Sequence, residues 1–280
     1  MSMPNTLKDI SIKAKAAKIC RLVYLMLYVA SGIMLFIGGW IPGLVMIAAN
    51  ILIYFLLGKR VIGEYENTLN RANIRYGLCA GMKESEYLGD SGMDAERLEA
   101  MKLLPMDHSQ SRLLVRQGFA AAKNSVRFSG WEITFHYPSD EEDKQKYSFL
   151  SGSLLILKKN RTQNDERTCI VLRKDLAEKE AFRTMISSQS MDPQLELFGY
   201  ILYSRENDPS VFPVAALEKL IADVPSLAAV RIQGKETDLF LADRFYTKKA
   251  EPGFVPSEKQ LRSNPLPERD SIFRFYENAI

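Results

Sequence analysis

The stretch from Leu22 to Gly58 reads LVYLMLYVASGIMLFIGGWIPGLVMIAANILIYFLLG and contains no charged side chain in 37 residues. One membrane-spanning helix needs about 20 consecutive apolar residues. The stretch is nearly twice that length, and the hexapeptide GGWIPG at 38–43 interrupts it with helix-breaking residues and an interfacial tryptophan. We therefore predict two transmembrane helices, Leu22–Gly38 and Leu44–Gly58, joined by a short turn.

A secretory signal peptide is the alternative interpretation of this stretch. A basic start precedes an apolar run, and Val29-Ala30-Ser31-Gly32 resembles a cleavage site. However, the apolar core of a signal peptide is typically about 7–15 residues long. The second apolar segment would have no role in a signal peptide, so we favour the hairpin of two spanning helices.

Charge is distributed unevenly around the apolar stretch. Residues 1–21 carry five basic side chains and one acidic side chain, and the chain after residue 58 carries 32 basic and 33 acidic side chains. The net charge of +3 thus comes from a short terminus, which does not indicate nucleic-acid binding. Because positive flanks stay in the cytoplasm, we expect a membrane protein with two spans and both termini cytoplasmic. The residues expected to contact the membrane are Lys8, Lys13, Lys15, Lys18, Arg21, Trp40, Lys59 and Arg60.

The basic juxtamembrane segment, residues 1–21, has apolar residues at helical spacing, at Leu7, Ile10, Ala14 and Ala17. This pattern fits a short amphipathic helix that lies on an anionic leaflet. A frayed tail that only sets the membrane topology is the other interpretation. Inside the hairpin, the amide of Asn50 is expected to hydrogen-bond the other helix, since a polar side chain in lipid seeks such a partner.

Residues 59–92 are predicted to form a stalk helix followed by a linker. Val61, Tyr65, Leu69, Ala72 and Tyr76 recur at helical spacing. Residues 77–92 contain four glycines, which favours a loose connection.

The predicted cytoplasmic domain covers residues 93–250. Asp94 is expected to cap a helix over Ala95–Leu104, and a second short helix is placed at Arg112–Lys123. From residue 126 the apolar period becomes two, which predicts strands. These strands cover Trp131–Tyr137, Tyr147–Leu157, Thr168–Arg173, Leu195–Ser204, Leu227–Ile232 and Thr237–Ala242. A helix near Val214–Ile221 precedes the last two, so the fold class is α+β, with a mostly antiparallel sheet after the transmembrane hairpin.

Several segments resemble one known family. They are the Met93–Pro105 helix ending in Leu-Leu-Pro, then FSGW at 128–131, RTCIVL at 167–172 and LFGYILYS at 197–204. With the twin N-terminal spans, they make the chain similar to a bacterial family classed as domain of unknown function thirty-one thirty-seven, over roughly Tyr65–Phe245. The resemblance implies an integral membrane protein with a cytoplasmic α+β domain. It implies no activity and no active-site residues.

The sequence contains no catalytic signature that we recognise, so we expect no catalytic, cofactor-binding or metal-binding residues and no enzyme activity. Asp107-His108-Ser109 brings triad residue types together, but adjacency along the chain is not triad geometry. Cys20, Cys79 and Cys169 lack a metal-type spacing. The acidic run at 140–143 reads as a solvated loop tip. A basic tip formed by Lys158, Lys159 and Arg161 is hypothesised to face an anionic leaflet.

The C-terminal region, residues 251–280, combines a proline-rich tail with a short helix. Ile272, Phe275 and Tyr276 form an apolar face that either docks on its own domain or binds a partner. The function that the sequence favours is membrane-anchored protein interaction or scaffolding. Its partners would be the lipid bilayer and a protein partner or a second copy. The alternative is a membrane-tethered enzyme or small-ligand sensor with a pocket between sheet and helices. That pocket would gather at least two of Asp107, His108, Arg112, Arg116 and Glu132.

Overall fold

The computed structural model describes residues 3–107, 109, 111–138, 147–159, 168–205, 212–244 and 251–279. The chain divides into two compact units. The first comprises Met1–Leu78 and Thr247–Asn264, and the second comprises Cys79–Tyr246 and Pro265–Ile280.

Two long helical runs dominate the first unit. Helix α1 covers Met3–Ile37, and after Gly38-Gly39 a continuous run covers Trp40–Leu78. This run consists of α2 (Trp40–Ile53), a π-helical turn, α3 (Lys59–Asn73) and a second π-helical turn. Gly39 adopts a φ of 93°, a left-handed conformation that glycine tolerates at no steric cost, so the chain can reverse within two residues.

The basic N-terminal segment continues the first apolar helix without a break. Ile10, Ala14 and Ala17 of α1 are fully buried and pack in one cluster with Tyr65 and Leu69 of α3. The helical stripe predicted for α3 is confirmed. Neither interpretation of residues 1–21 describes the structure, because their apolar face is covered by α3 rather than by lipid or water.

The tail segment after residue 250 also belongs to the first unit. Helix α8 (Glu258–Arg262) places Leu261 in the cluster between α1 and α3. Tyr65 Oη donates a hydrogen bond to the carbonyl of Phe254 (2.5 Å). Ser257 and Gln260 form a reciprocal capping box at the start of α8, which satisfies backbone donors of its first turn.

The second unit is built on a sheet of nine strands within the described residues. All of its strand pairs there are antiparallel, and the order is β1-β2-β3-β4-β9-β8-β5-β7-β6. The predicted α+β class with an antiparallel sheet is confirmed. The strands are β1 (Lys83–Gly89), β2 (Leu113–Lys123), β3 (Val126–Pro138), β4 (Tyr147–Lys159), β5 (Thr168–Arg173), β6 (Asp192–Leu197), β7 (Tyr200–Ser204), β8 (Leu227–Gln233) and β9 (Glu236–Leu241).

The pairing of β4 with β9 joins the two halves of this sheet. Strands β1 to β4 form a meander, and β5 to β9 form the rest. The register runs from Ser153 opposite Leu241 to Lys158 opposite Glu236. We call this pairing the seam of the sheet.

Helices cover both faces of the sheet. On one face, α4 (Ala95–Met101), α5 (Lys174–Ala177) and α6 (Glu180–Ser188) pack on a core that includes Trp131 and Phe240. On the other, α9 (Arg269–Ala279) sets Phe273 against Phe128, with ring centroids 5.1 Å apart, and α7 (Val214–Asp223) packs beside α9.

Three elements differ from the sequence expectations. The linker predicted within residues 77–92 contains β1, and the helix predicted at Arg112–Lys123 is the strand β2. β2 is a strand because its backbone is paired on both sides, with β1 and with β3. The single strand predicted at Leu195–Ser204 is a hairpin of β6 and β7. Its turn is Phe198-Gly199, where both residues have positive φ, as a tight two-residue hairpin turn requires.

Candidate functional site

The apolar hairpin of α1 and α2 is held together by a polar contact in its interior. Asn50 Nδ2 donates hydrogen bonds to Ser31 Oγ (2.7 Å) and to the carbonyl of Leu27 (3.1 Å), and both Asn50 and Ser31 are buried. The predicted bond between the two helices is confirmed. Farther along, Tyr24 Oη donates to the carbonyl of Ile53 (3.0 Å). These contacts use the hairpin's polar groups and leave its outer surface apolar.

Both helical runs, Met3–Ile37 and Trp40–Leu78, are long and apolar enough to cross a membrane, and their most apolar 18-residue windows have mean hydropathies of 2.0 and 2.1. Only 11% and 17% of their most apolar windows are buried. The large side chains that face outward include Leu25, Met26, Val29, Phe36, Leu52, Phe55, Leu56 and Leu57.

The predicted membrane-contact residues fall into two groups. Trp40 is 68% exposed at the turn of the hairpin, whereas Arg21, Lys59 and Arg60 are exposed near its open end. Lys8, Lys13, Lys15 and Lys18 instead lie along the extension of α1. At 1.5 Å per residue, Lys8 lies about 20 Å along the helix from Arg21. Lys13 donates to Thr68 of α3 (2.9 Å) and pairs with Asp9 (3.5 Å).

The predicted partner-binding face of the C-terminal helix lies in the interior of the second unit. Ile272, Phe275 and Tyr276 of α9 are at most 4% exposed. Tyr276 Oη donates to the carbonyl of Lys235 (2.6 Å) in the β8–β9 turn. Of the two interpretations of this helix, docking on its own domain is the one that the structure shows.

At the opposite ends of β2, β3 and β4, no helix among the described residues covers the sheet face that carries Phe128. Leu114 is 49% exposed and Phe149 is 63% exposed. The His136 ring packs against Phe149 at a centroid distance of 4.3 Å. The strand register places Leu114 opposite Thr134 and Phe149 opposite His136. We call this surface the open face, and it consists of Arg112, Leu114, Arg116, Thr134, His136, Phe149 and Ser151.

The residues predicted for an enzyme or sensor pocket do not gather in a cavity formed by the described residues. Asp107 lines a groove of about 460 Å³ between α4 and α6, without the other predicted residues. Arg116 lies opposite Glu132 across β2 and β3, so the fold brings these two predicted residues together on the sheet. His108, the acidic run at 140–143 and Arg161 lie outside the described residues.

A buried charge cluster in the β8–β9 hairpin was not predicted. Arg231 Nε donates to Asp238 Oδ2 (2.6 Å), and Arg231 Nη2 also reaches Glu236 Oε1 (3.1 Å). Asp238 is fully buried, and its Oδ1 has no hydrogen-bond partner among the described residues. Desolvation raises the pKa of Asp238 to about 6, although Arg231 opposes the shift. The sequence could have predicted this cluster, because Arg231 and Asp238 lie among the apolar residues of two predicted strands.

Two cysteines are unsuited to nucleophilic chemistry. Burial raises the pKa of the Cys79 thiol and of the Cys169 thiol to about 12. Both thiols therefore stay protonated at neutral pH, whereas the thiolate is the nucleophile. Across the described part of the chain, no three His, Cys, Asp or Glu side chains are grouped as metal ligands would be.

No family model, curated protein or solved structure matches the chain. The resemblance to the family of unknown function therefore stays a prediction.

Proposed function

We propose that the chain is a bacterial inner-membrane protein anchored by the α1–α2 hairpin, and that its second unit is a cytoplasmic interaction domain without catalysis of its own. The observation that carries the proposal is the apolar outer surface of the hairpin. Water would be a poor solvent for this surface, because each square ångström of exposed apolar area costs about 25 cal/mol. A lipid bilayer removes that cost.

The interior of the hairpin supports this proposal against the two competing interpretations of an apolar helix. A core helix of a soluble domain is mostly buried by its own chain, whereas most of both apolar windows is exposed. A signal peptide acts as a single apolar segment, whereas here Asn50 of α2 bonds Ser31 of α1. The apolar lengths from Leu22 to Ile37 and from Trp40 to Gly58 are about 24 and 28 Å, close to the ~30 Å of a bilayer core.

The charges at the hairpin's open end support the proposed orientation. Arg21, Lys59 and Arg60 flank that end, and the turn near Trp40 carries no charged side chain. Positively charged flanks are retained in the cytoplasm. The helical run continues for about 30 Å from Lys59 to Leu78, so that part of the chain would extend into the cytoplasm as a stalk packed against the start of α1.

Membrane insertion and orientation are tested by cysteine labelling of the full chain in spheroplasts. In a Cys20→Ser background, a membrane-impermeant maleimide is expected to label Trp40→Cys from outside, because Trp40 lies at the exposed turn. Lys219→Cys, on an exposed position of α7, is the control and should react only after lysis. Labelling of Lys219→Cys from outside, or recovery of the protein after an alkaline wash in the soluble fraction, contradicts the proposal.

The open face is the surface we propose for protein interaction. It combines two exposed apolar side chains, Leu114 and Phe149, with hydrogen-bonding and charged groups. Interface cores are rich in aromatic residues and arginine. Lone surface apolar residues are common, but here the register brings two of them onto the same sheet face, on the strands that flank β3.

A photo-crosslinking residue at Phe149 of the membrane-embedded chain tests this surface. We expect a discrete adduct in cells, either with another protein or with a second copy. Leu114→Glu should reduce its yield about tenfold, because a charge placed in an apolar contact costs more than about 1.4 kcal/mol. A crosslinker at Lys219 is the control and should give no such adduct. An equal yield with and without Leu114→Glu, or no adduct at Phe149, rules out the open face as the interaction surface.

A further inference from the structure

One end of the sheet carries a wide cavity of about 1220 Å³ lined by five basic side chains. We call it the basic basin and define it by Lys83, Lys123, Arg127, Lys159 and Lys235. These residues are scattered over more than 150 positions of the sequence. The fold alone brings them together.

The strand register explains how the basin is assembled. Lys83 at the start of β1 lies opposite Ala122 of β2, and Lys159 at the end of β4 lies opposite Val126 of β3. The β8–β9 turn joins them, because the backbone N–H of Lys159 donates to the carbonyl of Lys235 (3.3 Å). Four separate segments of the second unit thus contribute a cation at the same end of the sheet.

Small residues leave room between these cations. Three consecutive alanines of β2, Ala120, Ala121 and Ala122, are among the residues that line the cavity. The β2–β3 connection at Asn124-Ser125 is a two-residue turn in which both residues have positive φ, 50° and 66°. Such a turn is tight, so the connection between Lys123 and Arg127 does not fill the space between them.

Acidic side chains are fewer than basic ones in the lining of the basin. Glu84 and Glu86 are the acidic residues among its lining, and both are exposed. Lys158 and Arg231, which lie next to the basin in the sheet, are each paired with Glu236 (2.8 and 3.1 Å).

By contrast, among the described residues no carboxylate forms an ion pair with Lys83, Arg127 or Lys159. Like charges held together destabilise a fold, so folding stability does not account for this arrangement.

We propose that the basic basin binds a phosphate-bearing anion, either a free polyphosphate compound or a phospholipid headgroup. Five cations against two carboxylates give a local charge of about +3, which suits a multiply charged anion. A phosphate group offers several oxygens to cations that approach from different directions, and a guanidinium such as that of Arg127 can bind it with two parallel hydrogen bonds.

The ammonium group of Lys123 lies 5.0 Å from the centre of the Phe273 ring. Binding of a free anion does not depend on the proposed membrane anchoring or on the open face, whereas binding of a lipid headgroup rests on the proposed membrane anchoring.

The test uses the full chain in nanodiscs of a zwitterionic lipid, with inorganic pyrophosphate as the free probe. The site variant is Lys83→Gln, Arg127→Gln and Lys159→Gln. The matched control is Lys102→Gln, Arg183→Gln and Lys219→Gln, which removes two lysines and one arginine from exposed positions outside the basin. Calorimetry is expected to show pyrophosphate binding that the site variant weakens at least about tenfold, since three charge-assisted contacts are lost, and that the control keeps within about twofold.

A second arm distinguishes the two sources of phosphate. Hydrogen exchange at residues 120–127 is compared between nanodiscs of zwitterionic lipid and nanodiscs that contain phosphatidylglycerol, without pyrophosphate. If the anionic lipid protects these amides from exchange in the wild type and the control but not in the site variant, the basin binds a lipid headgroup. If pyrophosphate binds but the anionic lipid gives no such protection, the basin binds a free anion. If the triple variant does not fold, the single change Arg127→Gln replaces it as the site variant in both arms. The proposal is overturned if neither probe acts on the wild-type chain, or if the site variant responds as the control does.

Discussion

Replacing Arg231 by methionine is expected to lower the free energy of unfolding of the second unit by about 3–5 kcal/mol at pH 7, since it leaves a buried charge without its partner. Asp238 is fully buried, and Arg231 is its hydrogen-bonded cation at 2.6 Å. Glu236 cannot replace the arginine because it carries the same charge as Asp238. The measurement is urea unfolding of the full chain in detergent, followed by Trp131 fluorescence in a Trp40→Phe background.

The pH dependence of the same variant gives an internal check. The pKa of Asp238 is raised from 3.8 to about 6 in the folded protein, chiefly by desolvation. The folded protein holds the proton of Asp238 more tightly than the unfolded chain does, which stabilises the fold at low pH. This stabilisation is fully present below pH 3.8 and falls by about 3 kcal/mol as the pH rises through about 6. Asp238→Asn should remove this decline. Arg231→Met should cost less at pH 5 than at pH 7, because the carboxyl group is then largely protonated.

Two controls separate the buried pair from ordinary surface charge. Lys174 and Glu196 are an exposed pair at 3.1 Å, and Lys174→Met should change the free energy of unfolding by less than about 0.5 kcal/mol. Arg231→Met combined with Asp238→Leu should recover most of the loss, because apolar replacement of a whole buried pair is often neutral. A cost below about 1 kcal/mol for Arg231→Met would contradict the assignment of Asp238 as a charged, buried partner.

Gly152→Ala is expected to destabilise the second unit by about 3 kcal/mol, the upper range for inserting a methyl group into a packed site. A Cβ atom at Gly152 would overlap the carbonyl oxygen of Leu241 and lie 2.7 Å from the Phe240 ring. Both belong to β9, and a backbone carbonyl cannot rotate away as a side chain can. The substitution therefore pushes β9 away from β4 at the seam of the sheet.

Hydrogen exchange localises the effect of Gly152→Ala. Amides of β9 should lose protection first, because β9 forms the seam with β4. Ser148→Ala is the control, since it also places an alanine on β4 but at a position where a Cβ atom already exists, and it should stay within about 0.5 kcal/mol of the wild type. If Gly152→Ala unfolds no more readily than Ser148→Ala, the close approach of β4 and β9 at this glycine is wrong.

Local patterns predicted much of the fold. The uncharged stretch from Leu22 to Gly58 gave the two apolar helices, and the alternation around Trp131 gave β3. The Asp94 cap is confirmed, since Asp94 Oδ1 accepts a hydrogen bond from the backbone N–H of Arg97 (2.8 Å).

The elements that were missed depend on contacts between distant residues. Strand β2 carries Ala120, Ala121 and Ala122, which favour a helix, yet its pairing with β1 and β3 overrides that preference. The basic basin could not be found from local spacing either, because Lys83 and Lys235 lie far apart in the sequence. The spacing of apolar residues predicted the apolar face of α9. It could not predict whether this face would pack on Phe128 or on another molecule.

The seam also has a consequence for the order of synthesis. β4 ends at Lys159 and its neighbour β9 begins at Glu236, so the ribosome must translate most of the chain before the sheet can close. Pairing between such distant segments is slow, because the intervening loop must be ordered first. A nascent chain that stalls before residue 236 therefore presents an unpaired edge of β4, which makes the unfinished domain dependent on protection from aggregation until its last strand arrives.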